Sequence, residues 1–391
     1  VETYDIVVVG AGPAGLLASK KAAEGGAQVL LVEKEGEFGV KACAEALSKD
    51  AVLDAELKPS SNFISNEIVG AYIYAPDENK KVEISMSETG YGGYVVNKPL
   101  FLKELAEAAA AKGVDIRVKS KVVDVKRDGK LVKVMVFDGA KTVEVKAKIL
   151  VGCDGVNSIV AEKFFNRENY QLISCIQYKL ADCNLDNERV TRFYLGRKVA
   201  PMGYLWIFPK GRKLANVGVG VRGEPAKKYL DQFIETHVEE FRNSKVVKVE
   251  AAPIPISGQL DEIVSDNIMI CGDAAGQVIP LTGGGIHSSI AAGKIAGEVA
   301  AEAVKENDAS KARLMEYPNR FNSYWGERIR KSLKALRVME KLSDDDLNQL
   351  ANILTGKDVI DLANGLNVER VAMMLMKHPV FAMKIAKFLL S

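Results

Sequence analysis

Tyr4-Asp5-Ile6-Val7-Val8-Val9-Gly10-Ala11-Gly12-Pro13-Ala14-Gly15 is the stretch on which the fold turns. Its β-branched run from Ile6 to Val9 does not alternate, the pattern of a central parallel strand covered on both faces. The run ends in GxGxxG, where glycines permit a tight turn, close backbone approach to a pyrophosphate, and close packing of the following helix. Such a match is weak when isolated. Here the spacing predicts a helix over 13–25 and a second strand over Gln28–Val32, completing a βαβ start. Glu33 closes that strand about 20 residues after the glycines, where a carboxylate accepts hydrogen bonds from a ribose hydroxyl pair. The plainer reading is a strand-end carboxylate paired with Lys34. A carboxylate at this place repels a ribose 2′-phosphate, which favours FAD or NAD over NADP.

Outward from that unit, composition narrows the possibilities. The chain has 391 residues, 48% hydrophobic and 27% charged, so a disordered or fibrous chain is excluded and more than one sub-structure is expected. A net charge of +2 is too balanced for a nucleic-acid surface spread over the whole protein. No apolar run is long enough to span a bilayer and no signal-peptide pattern appears, so a cytoplasmic location is expected. Cys43, Cys153, Cys175, Cys183 and Cys271 form no CxxC pair, and three histidines (His237, His287, His378) lie far apart. Neither a disulfide scaffold nor a metal centre is expected, and any chemistry falls to a cofactor.

The chain then visits two layers alternately. Residues 62–96 carry short Tyr/Ile/Val runs broken by Pro76, Asp77, Asn79 and glycines, read as antiparallel strands and turns. A helix over Pro99–Lys112, a strand over Asp115–Val118, a hairpin through Asp128-Gly129 and a strand over Lys148–Gly152 return it to the parallel layer. A second β-rich excursion over 171–221 is followed by a helix over Ala226–Phe241, then a buried strand over Asn267–Cys271 and a polar, helical C-terminal third. The expectation is a mixed α/β fold. A Rossmann-like FAD-binding domain (1–61, 95–165 and 259–310) interleaves with an antiparallel-sheet substrate domain (62–94 and 166–258), and residues 311–391 form a helical C-terminal region.

Cys271-Gly272-Asp273-Ala274-Ala275-Gly276 follows the late buried strand and precedes Gly283-Gly284-Gly285 at a helix start. Asp273 suits a ribityl hydroxyl, and backbone donors of the Gly285-Ile286 helix start suit an electron-rich ring oxygen. Two such signatures so far apart favour an extended flavin over a simple nicotinamide site. Cys153-Asp154-Gly155 with Ser158 resembles the DG motif of the p-hydroxybenzoate hydroxylase-like flavoprotein superfamily. Together the three motifs identify the chain as similar to that superfamily.

Two passages narrow the resemblance. Tyr204-Leu205-Trp206-Ile207-Phe208-Pro209, followed by Gly218-Val219-Gly220, resembles the YxWxFP…GxG signature of the geranylgeranyl reductases, and the order of the whole chain is similar to their archaeal members. Lys41-Ala42-Cys43-Ala44-Glu45-Ala46-Leu47-Ser48 resembles the family's cysteine-bearing flavin loop, with Lys41 and Ala46 where those relatives often carry Arg and Gly. The resemblance implies FAD held by Gly10, Gly12, Ala14, Gly15, Glu33, Cys43, Ala44, Ala46, Lys98, Val122, Asp154, Asp273, Gly285 and Ile286. It implies a substrate site at Tyr204, Trp206, Phe208, Pro209, Gly218 and Gly220. On an extended strand Tyr204, Trp206 and Phe208 share one face, which lines an apolar slot for a polyprenyl chain or simply packs the core.

The activity so implied is FAD-dependent reduction of the isoprenoid double bonds of geranylgeranyl lipids in ether-lipid synthesis, with NAD(P)H or a ferredoxin as electron donor. Tyr204, Cys43 or a water supplies the proton. An aromatic monooxygenase on the same fold and a non-catalytic prenyl-binding carrier are the alternatives. Arg320, Arg328, Arg330, Lys331, Lys334, Arg337 and Lys341, with an amphipathic stretch over Val380–Leu390, suit peripheral contact with anionic headgroups; a solvated basic face and ordinary helix docking suit them equally.

Overall fold

The computed structural model describes residues 1–90, 92–379 and 381–383. The opening strand Glu2–Val9 pairs in parallel with Val29–Val32 on one side and Thr142–Gly152 on the other. Asp115–Arg117 and Ile268–Ile270 extend this parallel row at its two ends. The hairpin of Lys121–Asp128 and Leu131–Phe137 is added antiparallel to the early part of Thr142–Gly152, and Val264–Ser265 pairs antiparallel with Ile268–Ile270, giving an eight-stranded sheet. Ile6, Val7 and Val8 are fully buried, as a central strand covered on both faces requires.

Small residues set how closely those helices approach. Pro13–Glu24 and Ile286–Glu306 cross at Gly293 and Gly297, where a Cβ would lie 2.2 Å from the Ala14 carbonyl oxygen and 2.3 Å from that of Ala18. The two helices behind the two glycine signatures therefore pack backbone to backbone.

The second layer is a seven-stranded sheet in the order Lys245–Pro255, Leu172–Ala181, Leu214–Val221, Tyr204–Pro209, Val190–Tyr194, Gly70–Tyr74, Lys81–Ser85. A third, three-stranded sheet was not anticipated: Ala46–Ser48, at the end of the cysteine-bearing loop, pairs with Gly93–Val96, which pairs with Ile64–Ile68. It ties the loop to the first excursion. The helix expected over 226–241 is broken into Ala226–Thr236 and Val238–Phe241. His237 leaves the helical region there, its ring held between Phe233 O and the Glu78 carboxylate.

Beyond Glu327 the helices Glu327–Met339, Asp344–Ile353, Gly356–Ala363 and Val368–Met376 surround a small apolar cluster of Leu342, Leu350, Val371, Leu375 and Phe381. Among the described residues no helix is long and apolar enough to cross a membrane. Most of the Val380–Leu390 stretch lies outside the described residues; Phe381 is buried.

Candidate active site

The two glycine signatures and Glu33 all lie at the carboxyl ends of the parallel strands, where open α/β sheets place their ligands. Gly10 has φ +95°, and a Cβ there would stand 2.4 Å from the Cys153 carbonyl oxygen. At Gly15 it would stand 1.8 Å from the Gly10 carbonyl oxygen. Around Gly12 nothing lies within 4 Å of that position. The helix that starts at Pro13 has no side-chain cap and no acid in its first turn, leaving its free N–H groups for an anion. Glu33 accepts from Ala11 N–H at 2.7 Å and Glu35 N–H at 2.9 Å, which holds its carboxylate beside the turn. Lys34 faces Glu35 at 3.9 Å. Val122 begins the neighbouring hairpin, just after Ser120, whose N–H donates to Glu33 O at 2.8 Å.

At the other end, helix Ile286–Glu306 also starts uncapped, from Gly285. Asp273 sits in the Gly272–Ala275 turn, ion-paired with Lys41, and its carbonyl accepts from the Tyr170 hydroxyl at 2.5 Å. An open glycine cradle at one helix N-terminus, a carboxylate at the second strand's end and a second uncapped N-terminus fit an extended flavin dinucleotide.

The Lys41–Ala46 loop bridges these features and the second sheet. Lys98, expected to reach the cofactor, is buried and donates from Nζ to Lys41 O at 2.6 Å. Cys43 Sγ accepts from Glu45 N–H at 3.3 Å, and Ala44 O accepts from Asn216 at 3.1 Å. Glu45 has φ +71° and is 2% exposed, with its carboxylate held by Lys210 Nζ at 2.5 Å, Asn216 at 2.8 Å and Lys98 N–H at 3.0 Å. Burial pushes its pKa up, but the Lys210 charge and these hydrogen bonds outweigh it and keep the carboxyl below its ordinary value. Ala46 starts the Ala46–Ser48 strand and lines the cavity described next.

That cavity, of about 720 Å³, runs between the Gly70–Tyr74 and Lys81–Ser85 strands and the C-terminal helices. Its inner end is formed by Ala46, Leu47, Tyr94, Phe193, Tyr204 and Thr282, its far wall by Val338, Leu347, Leu350, Val371, Ala372 and Leu375. Tyr204 donates its hydroxyl to Thr282 O, and burial, with the Cys175 and Cys43 thiols as secondary causes, raises its pKa strongly. Burial pushes the Cys175 thiol up to about 12.

Of the aromatic strand only Tyr204 lines this cavity. Trp206, Phe208, Pro209, Gly218 and Gly220 lie outside its wall: Trp206 and Phe208 are each 6% exposed and pack with Ile68 and Val95 beneath the loop. Of the face on which a slot along all three rings is expected, only the Tyr204 end reaches the cavity; Ile68, Val95 and Ala44 cover the rest. Asp154 is engaged within the chain, accepting from Ser158 Oγ at 2.5 Å and Ile159 N–H at 2.8 Å to start helix Ile159–Phe164. Much of the basic C-terminal run is engaged within the chain. Arg320 meets Glu298 and Glu316, Lys331 meets Glu327 and Glu369, Arg337 meets Glu340, and Arg328 is buried against Asn364 and the Trp325 ring.

Sequence reasoning missed Glu45, Lys210, Asn216, Gln177 and Cys175, and the C-terminal helices as cavity wall. A signal existed for some: Cys175, Gln177 and Lys179 recur at period two on Leu172–Ala181, a polar row on one face of a buried strand.

Residues 5–162 match the family described as FAD dependent oxidoreductase and residues 171–254 match the geranylgeranyl reductase catalytic domain. A digeranylgeranylglycerophospholipid reductase of Methanocaldococcus jannaschii is 38% identical over 92% of this chain and 93% of its own length. A second, from Methanopyrus kandleri, is 36% identical over 99% of this chain and 100% of its own. Among solved structures, a geranylgeranyl bacteriochlorophyll reductase-like protein from Thermoplasma acidophilum superposes with a TM-score of 0.87 at 32% identity, covering 99% of each chain. A flavin-dependent brominase, at 19% identity and TM-score 0.75, shares the fold. With full-length relatives at this identity and the fold and motif geometry in agreement, the chain belongs to the geranylgeranyl reductase family of FAD-dependent oxidoreductases.

Proposed function

We infer that the protein is an FAD-dependent reductase that hydrogenates the isoprenoid double bonds of geranylgeranyl lipids in ether-lipid synthesis. The observation that carries this reading is the long apolar cavity ending at Tyr204 beside the Cys43 loop. A ring-sized substrate, as for a monooxygenase, needs no such length, and a carrier needs no flavin cradle. The test is anaerobic mixing of the chemically reduced holoprotein with a geranylgeranyl lipid. Flavin reoxidation and a mass gain of two hydrogens per double bond are expected; no reoxidation by any polyprenyl lipid overturns the reading.

An isolated alkene is not polarised, so hydride and proton must reach its two carbons together. The Gly10–Gly15 turn, Glu33, Asp273 and the Gly285-Ile286 helix start would hold FAD, which when bound and reduced would supply the hydride. The chain supplies the rest. The cavity wall keeps the isoprenoid extended and excludes water; Tyr204 bears a proton at its inner end, and Cys43 bears one on the adjoining loop, outside the wall. Tyr204 keeps its proton in the resting site because burial disfavours the phenolate. Whichever of the two donates will lose about 100-fold or more in single-turnover reduction when replaced, as Tyr204→Phe or Cys43→Ala, with FAD retained. Full reduction by both variants assigns the proton to water.

The mouth of the cavity supports membrane contact. Met373 and Met376, 62% and 48% exposed, line it together with Lys331 and Lys334. This rim faces a bilayer so that a lipid chain enters without crossing water. Lys334→Gln is expected to weaken binding to anionic vesicles about fivefold in a flotation assay, the effect of roughly one cation near a charged surface. Unchanged flotation removes Lys334 from the contact.

A further inference from the structure

Three strands of the second sheet bring the two halves of the YxWxFP…GxG pattern into register. Trp206 pairs with Gly218, and Gly218 pairs with Gln177 on the far side. The three residues form one row across the sheet. Gly218 carries no side chain into that row, and a Cβ there would stand 2.3 Å from Trp206 Cζ2. The indole therefore lies across the glycine, and its Nε1–H donates to Gln177 Oε1 at 3.0 Å. Gln177, 2% exposed, donates in turn from Nε2 to Cys43 O at 3.0 Å and to the Glu250 carboxylate at 3.1 Å.

We propose that Trp206 and Gln177, made contiguous by Gly218, are positioning residues that hold the Cys43 backbone, and so the flavin-side loop, at one height above the sheet. Trp206 acts through Gln177 and makes no part of the lipid cavity wall. A buried amide accepting from one neighbour and donating to another has a single orientation, so the indole fixes the amide and the amide fixes the loop. The neighbouring row of Phe208, Asn216 and Lys179 does the same for Glu45: Asn216 donates to its carboxylate at 2.8 Å, and Lys179 stands 3.4 Å from it. The catalytic consequence rests on the reductase reading above; the structural consequence does not.

The test uses the FAD-loaded protein. Trp206→Phe removes the N–H, Gln177→Met removes the amide at similar size, and Gly218→Ala displaces the indole. Each is expected to raise the alkylation rate of Cys43, followed by peptide mass mapping, about tenfold, and to lower kcat about tenfold with KM for geranylgeranyl lipid within about twofold. Trp206→Phe combined with Gln177→Met is expected to be no worse than Gln177→Met alone, since both cut the same chain of bonds. Unchanged Cys43 alkylation in Gln177→Met, or additive effects in the double variant, overturns the proposal. Should Trp206→Phe fail to fold, Gln177→Met decides alone, because it leaves the indole seated on Gly218. A wild-type protein that reduces no polyprenyl lipid sinks the reductase reading, while the alkylation rates still decide the positioning role.

Discussion

Gly10→Ala will yield a protein that accumulates as folded chain but carries no visible flavin, with FAD affinity down about 100-fold or more, equivalent to about 2.7 kcal/mol. Two costs combine at this residue. Its φ of +95° lies where an L side chain is strained by about 1–2 kcal/mol. A Cβ would also stand 2.4 Å from the Cys153 carbonyl oxygen. Neither partner yields readily: Gly10 N–H donates to Val32 O at 2.8 Å and Cys153 N–H to Val9 O at 2.8 Å, so both belong to the parallel row. The turn must move instead, which carries Ala11 N–H away from Glu33 and opens the cradle at Gly12. Gly12→Ala separates the two effects. With nothing within 4 Å of its Cβ position, it should leave Tm unchanged and weaken FAD alone. Spectral titration with FAD and a thermal melt of each variant read this directly; Gly10→Ala binding FAD as the wild type does would remove the turn from the cofactor site.

This turn was legible because every signal for it is local. Ile6 to Val9 declare a doubly covered strand, the glycines declare the turn, and Glu33 follows at the expected distance. The same holds for the late strand before Asp273. What could not be read was register. Gln177, Gly218 and Trp206 are far apart in sequence, and only pairing of Leu172–Ala181 with Leu214–Val221 and Tyr204–Pro209 puts them in one row. Aromatic alternation on Tyr204–Pro209 gave the shared face but not its cover, which comes from Ile68 and Val95 on two other strands and from Ala44. The C-terminal helices posed a different problem. Their basic residues read as a charged surface in sequence, yet their partners, Glu298, Glu316 and Glu369 among them, sit on other turns and other helices. Charge counts along a segment do not tell where the opposite charges fold.

The second large effect is expected at Ala71. It lies on the Gly70–Tyr74 strand, only partly buried, and lines the cavity opposite the C-terminal helices. A large ring at Ala71 fills space that the protein itself leaves empty, so Ala71→Trp should cost little stability, unlike overpacking of a filled core. It should, however, stop an extended isoprenoid from passing along the cavity toward Tyr204. Each double bond to be reduced must reach the same place, so a chain that cannot advance is held with its reactive carbons out of line, and misplacement of about 1 Å suffices for a loss near 100-fold. The expected result is therefore selective: reduction of geranylgeranyl lipid falls about 100-fold, while FAD content, Tm and reduction of a geranyl chain short enough to stay at the inner end are retained. Loss of both substrates together would mean that the ring reaches Tyr204 or the Cys43 loop. Unchanged kcat/KM for the long chain would mean that the isoprenoid lies elsewhere, and the C-terminal helices would then enclose a space the reaction does not use.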